Sequence, residues 1–141
     1  MSIQAHPDIG TILMCDYGTG FVIPEMVKRR PVVVISPRIA ARPGLCTVVP
    51  LSLTAPDPVM QFHCQIDLPD QLPDWMQKKD VWVKADMMAA VSLGRLDFIR
   101  LAKDKRGKRT YCYTPLSREH LKKIRASVLA GLGLAHLTKA L

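Results

Sequence analysis

The segment Lys28-Arg29-Arg30-Pro31 stands directly before the run Val32-Val33-Val34-Ile35. A strand of β-branched residues holds its first residue in place, and Pro31 keeps the backbone extended there. A guanidinium at such a mouth is permanently charged and planar, with donors spaced to grip a phosphate. The plainer alternative is an arginine at a sheet edge that reaches out to solvent. Two other strand ends offer groups that could meet it. Pro50-Leu51-Ser52 leaves a hydroxyl past one end. Lys84-Ala85-Asp86 leaves a cation and a carboxylate two residues apart, hence on one face if the strand runs on. Each alone also reads as a capped strand end or a surface ion pair. His63 adds an imidazole, the side chain that exchanges protons near neutral pH. Four cysteines (Cys15, Cys46, Cys64, Cys112) form no CxxC pair, so they read as reduced, part-buried thiols. Cys64 beside His63 lacks the paired spacing of a zinc site, and no metal is expected.

The elements that must position these groups are mostly short strands. Ile12 to Cys15 reads as one, followed by a turn-rich loop through Gly18-Thr19-Gly20 and Pro24. Val32 to Ile35 is short and β-branched enough to be a fully buried strand. Cys46 to Val49 is another, expected to stop at Pro50. Met60 to Asp67 alternates, with Met60, Phe62, Cys64 and Ile66 on one face, and predicts a half-buried strand. Residues 67–80 are polar and proline-punctuated, a loop, and Val81-Trp82-Val83 opens the next strand. Arg95 to Leu101 and Arg109 to Tyr113 predict a hairpin turned at Arg106-Gly107. Leu116, Leu121, Ile124, Val128 and Leu132 fall near helical spacing after Ser117, an N-cap, with Glu119 suited to the first turn. Gly131 or Gly133 would stop that helix. The class expected is therefore mainly β (α+β), a small barrel or curled sheet with one C-terminal α-helix.

The 141 residues suit one domain, 1–141, with no visible boundary. A 48% hydrophobic and 23% charged composition argues against disorder. No stretch approaches the roughly 20 apolar residues of a membrane span, and the N-terminus shows no secretory signal, so a cytoplasmic protein without a membrane partner is expected. Charge is strongly asymmetric. Residues 1–90 carry 8 Lys/Arg and 9 Asp/Glu, whereas residues 91–141 carry 12 and 3. Arg100, Lys103, Lys105, Arg106, Lys108 and Arg109 hold much of the excess, on the expected hairpin tip. Such a tract attracts nucleic acid or an acidic peptide, or else merely solubilises the tip.

In order and spacing, several of these motifs resemble the PemK/MazF toxins of bacterial type II toxin–antitoxin systems. Gly10 and Asp16 match the opening strand; Glu25 stands five residues before Arg30-Pro31; Val32 to Pro37 matches the apolar strand and Ser-Pro. Pro50-Leu51-Ser52 and Ala85-Asp86 follow in order, then a basic segment and a helix, over about residues 9–130. The resemblance implies a homodimeric SH3-like β-barrel of the PemK/MazF/CcdB type. It implies metal-independent cleavage of single-stranded RNA at short sequences, with no cofactor. The 2′-hydroxyl is the nucleophile, leaving a 2′,3′-cyclic phosphate and a 5′-hydroxyl. An antitoxin with a flexible acidic tail neutralises such enzymes, and the complex binds DNA. By the same resemblance Arg30, Ser52 and Asp86 are the catalytic residues. Arg30 would stabilise charge on the phosphorane, Ser52 would bond a non-bridging oxygen where the family has Thr, and Asp86 would be the base. Glu25, Lys28, Arg29, Lys84 and His63 would bind substrate, with His63 a second candidate base. Lys84 stands where some members have Arg and lacks the bidentate fork. Two other readings stay open: a non-catalytic barrel that binds nucleic acid or protein, and a CcdB-like, gyrase-targeting toxin. The terminus Thr138-Lys139-Ala140-Leu141 shows nothing like the latter's motif.

Overall fold

Alternation of apolar residues on both sides of the same strands sets the architecture. The computed structural model describes residues 3–76 and 81–141. Eight strands, β1 (Ile12–Asp16), β2 (Arg29–Val34), β3 (Leu45–Ser52), β4 (His63–Ile66), β5 (Val81–Lys84), β6 (Ala89–Ser92), β7 (Leu96–Arg100) and β8 (Tyr111–Cys112), precede one helix, α1 (Arg118–Gly131). They pair antiparallel in the order β4-β5-β3-β2-β1-β7-β8, with β6 beside the first half of β3. The two ends of this path, β4 and β8, do not pair among the described residues, so the barrel stays open along that seam.

Both faces of the central strands are buried. Ile12, Val33, Val49, Leu51 and Val83 pack on one side with Ile124 of α1, Leu72 and Met76. Leu13, Cys15, Val32, Val34, Val48 and Val91 pack on the other with Tyr17 and Leu96. This is why β2 reads as an unbroken apolar run rather than an alternating one. Each such side chain removed from water contributes on the order of 1.5–3 kcal/mol, so the two clusters hold the sheet curled between them.

Two strand expectations and one loop expectation need correction. β3 does not stop at Pro50 but runs on to Ser52. Its outer edge pairs with β6 up to Val48↔Ala89 and with β5 from Leu51↔Val83. Pro50 falls in the gap between those partners, where its missing N–H leaves no ladder bond unmade. The chain opposite it bulges out as a short 3₁₀ turn, Ala85–Met87. The strand expected over Met60 to Asp67 is only His63–Ile66, because the His63 amide bonds Met60 O at 3.0 Å and closes a turn. β6 had no periodic signal of its own. Of the loop expected over 67–80, residues 77–80 lie outside the described residues; the rest holds a 3₁₀ turn at Asp74–Met76 and buries Leu72 and Met76.

The helix is built as its sequence indicates. Ser117 Oγ accepts from the His120 amide. At the other end Gly133 turns left-handed (φ +75°), while its amide bonds Ala130 O and the Leu134 amide bonds Leu129 O. That paired closure caps the last carbonyls. No helix among the described residues is long and apolar enough to cross a membrane.

Candidate functional site

The register of the strands brings several of the singled-out side chains to one end of one face. β2 and β3 pair at Val32↔Pro50; carried on by two residues, that register sets Arg30 level with Ser52. Ser52 pairs with Trp82 of β5, and Lys84, two residues on, pairs with His63 of β4. Residues opposite each other or two apart share a face. Arg30, Ser52, Lys84 and His63 are thus all in phase on one face, in a diagonal row: Arg30 and Ser52 are level at the end where β2 begins, and Lys84 and His63 lie two residues further into the sheet.

Arg30 is half-buried, and its Nε is buried with no hydrogen-bond partner among the described residues. A buried donor left unmade costs roughly 1–3 kcal/mol, and an acceptor arriving from outside recovers it. Cys15, directly opposite Arg30 on β1, offers no counter-charge: burial pushes its thiol up to about 11. Lys84 is half-buried and likewise unpaired among the described residues. This face therefore presents two half-buried cations, neither of them ion-paired among the described residues.

Ser52 is buried, and its hydroxyl is engaged locally. Oγ accepts from the Thr54 amide at 3.2 Å and donates to Thr54 O at 3.1 Å. It pins the turn leaving β3, and reaching a phosphate oxygen means giving up the second of these bonds. His63 Nδ1 accepts the Met60 amide at 2.9 Å, so the neutral ring carries its proton on Nε2. That tautomer donates toward a ligand rather than accepting from it. His63 is accordingly suited to donate a hydrogen bond to a ligand, and with Nδ1 engaged it has no free lone pair with which to act as a base.

Asp86 is exposed on the 3₁₀ turn opposite Pro50. It lines a 430 Å³ cavity together with Glu25, Tyr17, Phe21, Met26 and Met88. Glu25 Oε1 also accepts the Val22 amide at 2.8 Å, closing the tip of the loop between β1 and β2. The helix end lies close behind: a Cβ at Gly131 would stand 3.4 Å from Asp86 Cα and from Phe62 Cβ. Lys28 is exposed just before β2. Arg29 is one residue out of phase with Arg30, projects to the opposite face and is ion-paired with Asp97 at 3.4 Å. The structure thus gathers Arg30, Ser52, Lys84 and His63 in one row and Asp86 with Glu25 in one cavity, and it separates Arg29 from both.

Arg95 was not legible as a site residue. Its Nη1 donates to Asp16 O at 3.0 Å, and its guanidinium lies 4.9 Å from the centroid of Phe21. Gly20, with φ +86°, lets the loop pass it; a Cβ there would meet Arg95 Nη2 at 3.3 Å. Arg95 therefore holds the loop that carries Glu25, across a separation of 79 residues that no local signal spans. Among the described residues no group of three His, Cys, Asp or Glu side chains converges. Chemically, two cations and a hydroxyl on one face make an anion site, and the carboxylates of the Asp86 cavity are groups that can move protons.

Relatives and structural neighbours agree with one another. A protein of Haemophilus influenzae named only as uncharacterized is 34% identical over 108 residues, 68% of this chain and 73% of its own. The Escherichia coli protein YifN is 30% identical over 118 residues, 71% and 78% of the two chains. An endoribonuclease from a mycobacterial species superposes with a TM-score of 0.60 at 17% identity, over 94% of this chain and 95% of that one. MazF from Deinococcus radiodurans does so at 0.55 and 21%, over 92% and 99%. At these identities the superpositions speak for the fold. The family model described as PemK-like, MazF-like toxin of type II toxin–antitoxin system matches residues 8–130, nearly the whole sheet and helix, and the chain belongs to that family.

Proposed function

We propose that this chain is a sequence-specific endoribonuclease that cleaves single-stranded RNA without a metal, as the toxin of a toxin–antitoxin pair. The observation that carries the reading is the half-buried Arg30, whose Nε has no partner, in one row with Ser52 and Lys84. A scissile phosphate bound there has Arg30 and Lys84 on its non-bridging oxygens. The 2′-hydroxyl of the preceding nucleotide attacks phosphorus, and Asp86 takes its proton. The bond from phosphorus to O5′ breaks, and O5′ takes a proton from solvent while Asp86 releases its own, with His63 Nε2–H able to donate a hydrogen bond on this face. The products are a 2′,3′-cyclic phosphate and a 5′-hydroxyl. Arg30 acts by stabilising the charge that builds on the phosphorane, a contribution worth 10²–10³ in rate for one well-placed donor. Ser52 orients the phosphate once its bond to Thr54 O is exchanged. In this reading the protein works as a cytoplasmic homodimer, and an antitoxin with an acidic, flexible tail covers the same cations.

The commitment of Ser52 to Thr54 favours a second reading, a barrel that binds RNA without cutting it. One experiment separates the two. Wild type and Arg30→Ala are incubated with a long, weakly structured RNA in chelator, the 5′ ends of any products are mapped, and the 3′ ends are tested for cyclic phosphate. Discrete cuts with 5′-hydroxyl ends, lost in the variant, are the expected result. RNA that is bound but intact replaces this reading with the second.

A further inference from the structure

The hairpin between β7 and β8 carries charge that the fold itself does not use. Lys103, Lys105, Arg106, Lys108 and Arg109 are all exposed. Among the described residues the one ion pair is Arg29–Asp97, so none of these five is neutralised. Yet the tip has a definite shape. Asp104 Oδ1 accepts the amides of Arg106 and Lys108, both at 2.9 Å, and Gly107 supplies a φ of +77°. Thr110 Oγ1 donates to Ala102 O at 2.6 Å, and the Leu101 amide bonds Thr110 O at 2.9 Å. No cationic side chain helps to hold this backbone. Like charges kept close together in this way repel, and a polyanion relieves them.

A separate observation narrows the polyanion. At the root of the hairpin is a 370 Å³ cavity lined by Trp75, Pro73, Phe98, Arg100 and the ion-paired Arg29 and Asp97, among others. Trp75 is 52% exposed. An exposed indole sharing a cavity with the exposed Arg100, next to the cationic tip, is a platform on which a base stacks while its phosphates meet the cations. An acidic peptide needs the cations but not the ring. The position is also apt, because Arg29 faces this cavity while its neighbour Arg30 faces the cleavage row. A strand of RNA leaving Arg30 reaches Trp75 by passing round the start of β2.

We propose that Trp75 and the cations of the hairpin tip form an exosite for single-stranded RNA flanking the cleaved nucleotides. This rests on the RNA-cleaving reading above. It is tested with two variants, Trp75→Ala and one in which Lys103, Lys105, Arg106, Lys108 and Arg109 are all changed to Gln. The substrates are an oligonucleotide of roughly 8 nucleotides around the mapped cut and the same one extended by uridines on both sides, lengths that bracket a typical single-strand site. For the extended RNA, KM is expected to rise about tenfold in each variant with kcat unchanged. The short one should be cut as by wild type. For the Gln variant, the log–log salt dependence of binding should become shallower by about 3, at roughly 0.7 per phosphate contact. Unchanged KM on the extended RNA, or equal losses on both lengths, overturns the exosite. If wild type yields no cut to map on the long RNA, the cleavage reading fails by itself, and a fluorescent uridine 20-mer decides the exosite: weaker binding in both variants supports it, and unchanged binding overturns it. Tighter capture of poly-glutamate than of the 20-mer at equal salt also overturns it.

Discussion

The start of β2 and the tip of the β7–β8 hairpin both present cations without partners, and they are built in opposite ways. At the start of β2 the sheet holds the charges. Arg30 is held by a strand buried on both faces and has a shielded donor with no partner among the described residues. At the hairpin the backbone is self-sufficient, pinned by Asp104 and Thr110, and the cations stand fully in water. The first arrangement costs stability and yields geometry; the second costs little and yields attraction at a distance. A site that must discriminate a transition state needs the former, whereas one that only gathers RNA is served by the latter.

Arg30 gives the largest test of that contrast. Arg30→Met should lower the cleavage rate by about 10²–10³ while leaving the protein as stable as wild type, or more so by about 1 kcal/mol. Thermal unfolding and the rate, measured on one preparation, check both halves. A clear loss of stability would mean that Arg30 is a structural residue and not a held catalytic one.

Next in size is an alkaline effect confined to the sheet. Burial pushes the Cys15 and Cys46 thiols up to about 11, above the ordinary value near 9. Their neutral forms therefore stabilise the fold fully below about pH 9, and that contribution is lost as pH rises toward 11. Urea midpoints at pH 8, 9 and 10 should fall, by about 1 kcal/mol per thiol at pH 10, and the fall should flatten when both residues are replaced by alanine.

Ser52→Ala should cost about 1 kcal/mol in urea unfolding, since a buried turn loses a donor and an acceptor together. Ser52→Thr should keep both bonds. At the hairpin, Asp104→Ala should change global stability by less than about 0.5 kcal/mol but speed amide exchange at Arg106 and Lys108. A global loss as large as that of Ser52→Ala would erase the distinction between the two regions.

Much of this was legible before the fold was known. The β2 run, the turn at Gly107 and the Ser117 cap each carry a local cause, either side-chain branching, a turn residue or a short polar cap. The turn and the cap stand where expected, whereas β2 runs Arg29–Val34 rather than Val32–Ile35 and the second hairpin strand, expected over Arg109 to Tyr113, is only Tyr111–Cys112. β3 was misjudged because proline is a breaker only where its N–H is needed, and that depends on which strand lies alongside. β6 and the 3₁₀ turn bearing Asp86 are likewise products of pairing with β3 rather than of their own sequence. Among the site residues, Arg30, Ser52 and Lys84 could be named from strand ends. That Arg29 turns away, that His63 Nδ1 is already bonded and that Arg95 anchors the β1–β2 loop depended on partners far along the chain.

The sequence alone therefore determined what is local: which residues form strands and helix, where the positive charge lies, and that a guanidinium stands at a strand mouth. Only the tertiary structure decided what meets what. A diagonal row running from Arg30 to His63 exists because four strands pair in a fixed register, and Arg30 Nε is buried with no acceptor among the described residues. Local preferences follow from covalent geometry within a few residues, whereas register and burial are settled by the simultaneous packing of segments dozens of residues apart.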